Sequence, residues 1–523
     1  MRAMGTRGMV ASPHYLATGA GLNVLRRGGS AIDAAIAVNS VLAVVTPTLC
    51  GIGGDLFALV YEPGSGEPVG INGSGRAPAE ATVERVRELS GGDTMPVRGP
   101  LTITVPGCVE AWQRLHDRFG RLPLATVLED AIFYADHGFP VSESFARAAA
   151  IFTPSLHPDT PARETFLPAG RPLCESDVLR QPRLARTLRA IAEGGAEVYY
   201  RGWIGQEIAR TIRAIGGVMA AEDIASHTSD WVRPLSVEYR GYTIFELPPN
   251  SQGIVALLML TMLGELPPDA MRDVSDEYVH VLAEAARLAY ADRDAHVTDP
   301  DHMTVDPEQL LSPEHARERV VGIGSHAGRT AVAGTPGDTA YMAACDGDGM
   351  LVSLIESNYM GIGSGVMGGE SGIMLQNRGA WFSLKPDHIN VIAPRKRTMH
   401  TLMPAMGFRN GAPAFVFGTM GGSMQPQIHA QLLTRLIDQE LPPDEAVAAP
   451  RFDAVPHGAA APYIGMESRF DEGVVDGLRS RGHDVRLVEP YASSMGHAHV
   501  ISINGGVYTG ASDPRTESLA LGF

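Results

Sequence analysis

Apolar positions along the chain change their period several times, and each change marks an element. From His14 to Arg27 they recur at helical spacing and stop at Gly28-Gly29, a pair that ends helices because glycine tolerates left-handed backbone. Ser30 then stands as a cap with Asp33 three residues on, and Ala31 to Val45 is apolar nearly all round. That pattern predicts a buried helix, closed by Thr46-Pro47. Leu56 to Glu62 reads as a strand with a partner at Val69 to Asn72. Ala111 to Gly217 is mostly helical in period, with stops at Gly120, Gly138 and Gly194-Gly195. Strands are expected over Arg233 to Glu246, and helices over Ile254 to Leu263 and Val279 to Asp292, the latter amphipathic with Glu284 and Arg287 as an i,i+3 pair. Periodicity lapses from Asp299 to Thr335, a stretch rich in Pro, Gly, His and Thr that reads as a surface linker.

Alternation resumes at once beyond it. A Pro336-Gly337 bend delivers the chain to Thr339, and small and large residues then alternate as far as Cys345. Asp346 to Gly349 forms a tight turn and Met350 to Ser357 a second β-rich run, which together predict a hairpin with a hydroxyl at its entrance. Further strands are expected at Ile373 to Asn377 and Ala414 to Phe417, with a helix from about Gln425 to Leu436. His497 to Ile503 and Gly506 to Gly510 look like a closing antiparallel hairpin. Glycine clusters at 51–54, 361–365 and 368–372 permit close backbone packing or the approach of a ligand to main-chain amides.

With 523 residues, 44% of them hydrophobic, the chain can bury a large core as one domain or two intimately packed ones. Its net charge of −17 argues against nucleic acid or an anionic membrane as partner, since both need clustered basic residues. No apolar run approaches the roughly 18 residues that cross a bilayer, and Met1 to Val10 lacks the apolar core of a secretory signal, so a cytoplasmic location is expected. Cys50, Cys108, Cys174 and Cys345 show no Cys-x-x-Cys spacing and are expected to be reduced and structural.

Thr339 is the candidate for chemistry. A threonine hydroxyl is a poor nucleophile unless a base lies beside it, and a free α-amine, with a reference pKa of about 7.7–8.0, is such a base. Thr339 gains one only if the Asp338–Thr339 bond is cut; the plainer reading is a threonine that opens an ordinary strand. Arg76, in the flexible stretch Gly73 to Pro78 with no acidic neighbour in sequence, suits a substrate carboxylate or simply solvent. Gly421-Gly422, between a strand and a helix N-terminus, suits an oxyanion hole or a tight turn. His497 and His499 share a strand face, but no third metal ligand is suggested.

The combination resembles the γ-glutamyltranspeptidases along nearly the whole chain. The resemblance rests on Gly337-Asp338-Thr339, Asp346-x-Asp348-Gly349, Gly363-Ser364-Gly365 and Gly421-Gly422, in that order. It is extended by Gly29-x-Ala31-x-Asp33-Ala34-Ala35, Gly51-x-Gly53-Gly54-Asp55, Val105-Pro106-Gly107, Pro248-Pro249 and Ser512-Asp513-Pro514-Arg515. It implies an α+β fold, the four-layer αββα sandwich of N-terminal-nucleophile hydrolases with an added helical region. It also implies a precursor that cuts itself before Thr339 into a large subunit, residues 1–338, and a small one, 339–523, which stay associated and open to further homo-oligomerisation. By the same resemblance Thr339 is the nucleophile, Ser357 its supporting hydroxyl, Gly421 and Gly422 the oxyanion donors and Arg76 the substrate-carboxylate arginine. Water or an amine accepts the acyl group from a small-molecule amide, and neither a metal nor an organic cofactor is required.

Departures from the family pattern fall around the pocket. Ala340-Tyr341 follows the nucleophile where typical members have Thr-His, and Trp381 stands where they place the aspartate that grips the γ-glutamyl amine. His400-Thr401 replaces their paired serines, and Asn358-Tyr359 and Asn377-Arg378 differ as well. Asn358, Tyr359, Arg378, His400 and Thr401 are therefore candidate substrate contacts, in a pattern that resembles the oxamate amidohydrolase-like branch. The sequence leads to a self-processing amidohydrolase with a glutathione-type γ-glutamyl amide as the family's default substrate. An oxo-acid amide such as oxamate, or an acylase substrate, is the alternative within the class. Outside it stand an unprocessed ligand-binding shell and a metal hydrolase built on His400, His497 and His499.

Overall fold

A computed structural model describes residues 2–328, 337–454 and 462–523. Two seven-stranded sheets, antiparallel throughout, organise the chain. The first runs Leu519–Gly522, Gly8–Ser12, Asp338–Asp346, Leu351–Tyr359, Asp55–Tyr61, Val69–Gly73 and Asp230–Val232. In the second the order is Arg2–Gly5, Val507–Ser512, His497–Asn504, Ala412–Met420, Ala405–Arg409, Tyr242–Glu246 and Leu235–Tyr239. The predicted hairpin at 339–357 is thus the centre of the first sheet.

Two-residue alternation assigns every central strand to two cores. Tyr341, Ala343, Cys345, Leu351 and Ile355 face the second sheet and pack with its Met406, Phe408, Val416 and Ile501. Their neighbours Ala340, Met342, Ala344, Val352 and Leu354 face outward onto the helix Ala31–Val45, every residue of which is buried. On the far side Tyr239, Ile244, Phe417 and Val500 pack against Gly253–Gly264, Asp276–His296 and Gln425–Ile437. The result is the expected αββα sandwich. Helices between Cys108 and Ala214 form the added helical region, packed on the first sheet's core.

Local signals were mostly obeyed. Ser30 Oγ accepts from Asp33 N at 3.1 Å while Asp33 Oδ2 accepts from Ser30 N at 2.9 Å, a reciprocal cap. The helix Pro182–Tyr200 breaks at Gly195, where φ is +60°. Ile373–Asn377 is not a strand: Met374 and Leu375 make only isolated bridges, to Met367 and to Gly53, and Gly53 lies so close that a side chain there would meet the Met374 carbonyl. The expected linker carries short helices at Pro307–Leu310 and Pro313–Val320, opened by Asp306 and Ser312 caps; its end at 329–335, with Pro336 of the predicted bend, lies outside the described residues. Among the described residues no helix is long and apolar enough to cross a membrane.

Candidate active site

Thr339 lies at the mouth between the two sheets, where the hairpin register slips between Asp338 and Ala340. Its hydroxyl is buried and donates to Ser357 Oγ at 3.3 Å. Ser357 Oγ in turn donates to the carbonyl oxygen of Asp338 at 2.5 Å and accepts from Tyr359 N at 2.7 Å. The chain therefore presents its own Asp338–Thr339 carbonyl, polarised by one hydroxyl, to the hydroxyl next to it. Tyr359 reaches this position with φ at +79°, a conformation costly for a bulky residue and one that turns its N–H back onto Ser357. Close packing behind Ser357 needs Gly54, whose added Cβ would stand 2.3 Å from the Ser357 carbonyl oxygen.

Gly421 and Gly422 break the strand Ala412–Met420 before the helix Gln425–Ile437. Both have positive φ, +154° and +56°, which only glycine takes readily. Gly422 lies against the junction: a Cβ on Gly337 would sit 3.0 Å from its Cα. Gln252 fixes the turn, its Nε2 donating to Gly422 O at 2.8 Å and Thr401 O at 3.0 Å. First-turn N–H groups have no partner within their own helix, so this is where donors for a developing oxyanion belong.

Tyr359, Trp381, Arg378, Thr401 and His400 form the adjoining cluster, of which Tyr359 and Trp381 line a cleft and Arg378, Thr401 and His400 are buried behind them. The Arg378 guanidinium lies 3.8 Å from the Tyr359 ring centroid, and Trp381 meets that ring edge-on at 6.2 Å. Arg378 is 1% exposed and donates through Nη2 to Thr401 Oγ1 at 3.1 Å. Its Nε and Nη1 have no partner among the described residues. Burial, against the influence of Tyr359 and Asp55, pulls its pKa down to about 10. His400 is fixed by Asp55 Oδ2 at 3.0 Å and by Leu402 N on Nδ1 at 3.2 Å. Burial, and after it the Arg378 charge, push the imidazole down to about 4, so it is neutral at pH 7 and has no free lone pair for general-base work. Tyr359 and Trp381 also floor a cleft of about 490 Å³, a volume suited to a small molecule.

Two expected residues are not brought to this group. Asn358 faces away from Ser357 by strand alternation, its amide lying against Gly51. Arg76 does have an acidic partner: Nη1 meets Asp299 at 3.4 Å and Asp301 at 3.9 Å and donates to Arg395 O at 3.2 Å. That partner is invisible in sequence because 223 residues separate Arg76 from Asp299. His400, His497 and His499 do not share a ligand set; among the described residues the one grouping with metal-ligand spacing is His280, Glu284 and His483. Gln252, Asp55 and Arg98 were missed. The first two stand in motifs noticed only for their Pro and Gly.

Asp338 carries a testable charge. Burial raises its carboxyl to about 6, opposed by the Gly361 N–H at 2.7 Å and the Arg98 charge. An acid with a raised pKa keeps, when folded, a proton that the unfolded chain releases, so precursor stability must fall as pH rises from about 4 to 6. The loss should be on the order of 2 kcal/mol, because the residue retains some solvent contact. Thermal midpoints of Thr339→Ala and Thr339→Ala/Asp338→Asn should therefore diverge across that window, the second variant being the more stable above it. Parallel curves would show that the carboxyl titrates normally.

A hydroxyl heading the central hairpin of an αββα sandwich, beside a Gly-Gly turn, is the architecture of the N-terminal-nucleophile hydrolases. The chain belongs to the γ-glutamyltranspeptidase family, which it matches over residues 17–523. It is 39% identical to the glutathione hydrolase-like YwrD proenzyme of Bacillus subtilis, over 99% of both chains. Identity is also 39% to the oxamate amidohydrolase proenzyme of Klebsiella pneumoniae, over 99% of each. The crystal structure of cephalosporin acylase from Bacillus halodurans superposes with a TM-score of 0.94 at 40% identity, covering 100% of this chain and 97% of that one. The protein is thus a hydrolase or acyl-transferring enzyme.

Proposed function

We propose that this chain cuts itself between Asp338 and Thr339 and then uses Thr339 to cleave a carboxylate-bearing amide through an acyl-enzyme. The Thr339–Ser357–Asp338 geometry carries the reading. In the first step Thr339 Oγ1 bonds to the Asp338 carbonyl carbon as its proton passes toward Ser357, and Ser357 stabilises the carbonyl oxygen. The C–N bond then breaks as that proton is delivered to the nitrogen, which leaves as the Thr339 α-amine, and water hydrolyses the remaining ester. Residues 1–338 and 339–523 become the two chains of one protomer. In turnover the α-amine takes the hydroxyl proton, the Gly421 and Gly422 N–H groups hold the oxyanion, and water or an amine receives the acyl group. Ser357→Ala should slow self-cleavage about 10²–10³-fold, the usual effect of losing one such donor, as followed by the disappearance of the uncut chain with time. Normal processing would remove Ser357 from the mechanism.

A γ-glutamyl amide is the family's first candidate substrate. The Trp381 edge beside Tyr359 favours a second reading, an oxo-acid amide such as oxamate, because an indole stands where typical members place the aspartate for the α-ammonium, and of the two aspartates that line the cleft Asp294 is paired with Arg293. Hydrolysis of γ-glutamyl-p-nitroanilide and ammonia release from oxamate, measured on one processed preparation, test the pair. Failure of both, with fully processed protein, would sink the amidohydrolase reading.

A further inference from the structure

Arg378 is a buried cation without an anion. The guanidinium uses one bond, to Thr401 Oγ1, leaves Nε and Nη1 unpartnered among the described residues and forms no ion pair there. Asp55, the carboxylate whose field reaches it, is already occupied: Oδ1 accepts from Gly75 N and Gln376 Nε2, each at 2.9 Å, and Oδ2 pairs with His400. Withholding both water and a counter-ion from a guanidinium is strongly unfavourable, and the Tyr359 face offsets only part of that. The deficit disappears when a bound anion supplies the missing acceptors.

Its position says which anion. Thr401 bonds Arg378 through its side chain, while its carbonyl shares Gln252 Nε2 with the carbonyl of Gly422. One residue and one amide therefore separate the guanidinium from the Gly421-Gly422 turn, so an anion on Arg378 is a few bonds from a carbonyl at that turn. Around Arg378 stand Tyr359, Thr401 and neutral His400, which cannot balance an ammonium, and Asp55, whose oxygens are already taken; in the cleft beyond Trp381 Asp294 is paired with Arg293 and Asp93 is exposed. Arg76 is already neutralised by Asp299.

Resting on the amidohydrolase reading above, we propose that Arg378 binds the substrate's carboxylate and that the substrate is the monoamide of a short dicarboxylic or oxo acid lacking an α-ammonium. Glutaramate, which is glutamine without its amino group, should be cleaved with a higher kcat/KM than glutamine, and oxamate, malonamate and succinamate should show which length fits. Titration calorimetry of the processed wild-type protein should detect oxalate, malonate, succinate or glutarate, with glutarate bound more tightly than glutamate. Arg378→Gln should weaken that binding and raise KM for the preferred monoamide about 100-fold, as losing a bidentate charged contact does. Arg378→Lys should recover part of the loss, and Arg76→Gln should have the smaller effect. Absence of any dicarboxylate binding in the wild type, equal binding by Arg378→Gln, or preference for glutamate over glutarate would each overturn the assignment. Should Arg378→Gln fail to process, the glutarate and glutamate comparison on the wild type decides alone. Arg378-dependent binding without turnover of any amide would keep the subsite and sink the hydrolase reading; turnover that ignores Arg378 would do the reverse.

Discussion

Thr339→Ala is expected to yield one uncut polypeptide with amidohydrolase activity reduced to background, a loss on the order of 10⁶-fold by analogy with removal of other enzymic nucleophiles. Both effects follow from one atom. In the precursor Thr339 Oγ1 is the hydroxyl beside the Asp338 carbonyl, and Ser357 bonds both groups at once. In the mature protein the same atom is the only hydroxyl that gains a free amine on its own residue. Thr339→Ser retains the hydroxyl and should therefore process and turn over, more slowly because the lost methyl no longer restricts the side chain's rotamers. Intact mass under denaturing conditions reads the first effect and ammonia release the second. The wild type should give one fragment ending at Asp338 and one beginning at Thr339. Cleavage of Thr339→Ala at the same bond would overturn the mechanism, and an uncut wild type would favour a ligand-binding shell.

The hairpin, the buried helix and the Gly-Gly turn were legible because each is encoded within a few residues: alternation over 339–345, a Ser30–Asp33 cap, and glycines where φ must be positive. The order of strands in the sheets was not legible, since Leu519–Gly522 pairs with Gly8–Ser12 across almost the entire chain. The site divides the same way. Thr339 and Ser357 sit on one hairpin, so their meeting could be anticipated. The Arg76–Asp299 pair, the clamp by Gln252 and the placement of Asn358 depend on long-range packing, which leaves no local periodicity to read. Arg378 stood out as a departure from the family pattern, but its want of a partner is a property of the folded surroundings alone.

Asp513→Asn should destabilise the protein by about 3–5 kcal/mol, the usual consequence of taking one partner from a buried charge network. Asp513 is fully buried, and its carboxylate meets Arg451 Nη2 at 2.5 Å and Arg515 Nη1 at 3.0 Å while accepting from Ala498 N at 2.8 Å. Burial alone would raise its pKa, but the Arg451 and Arg515 charges outweigh it and hold the carboxyl below the usual value. A lowered folded pKa means stability that is present above about pH 4, the unfolded value, and lost as pH falls through the folded one. The gap between wild type and Asp513→Asn should accordingly be widest at neutral pH and narrow in acid. The network also supports the site. Arg451 Nη1 donates to Gly496 O at 3.0 Å, and Gly496 is pressed so closely on Met420 that an added Cβ would stand 2.1 Å from the Met420 carbonyl oxygen. Met420 is the residue before the Gly421-Gly422 turn, and it pairs with His497 across the sheet. Loosening Arg451 should therefore misplace the oxyanion donors and lower kcat more than it raises KM. Thermal midpoints against pH and steady-state kinetics on the processed variant check both halves. An unchanged midpoint would mean that the arginines find other acceptors, and a lowered midpoint with unchanged kcat would separate the network from the Gly421-Gly422 turn.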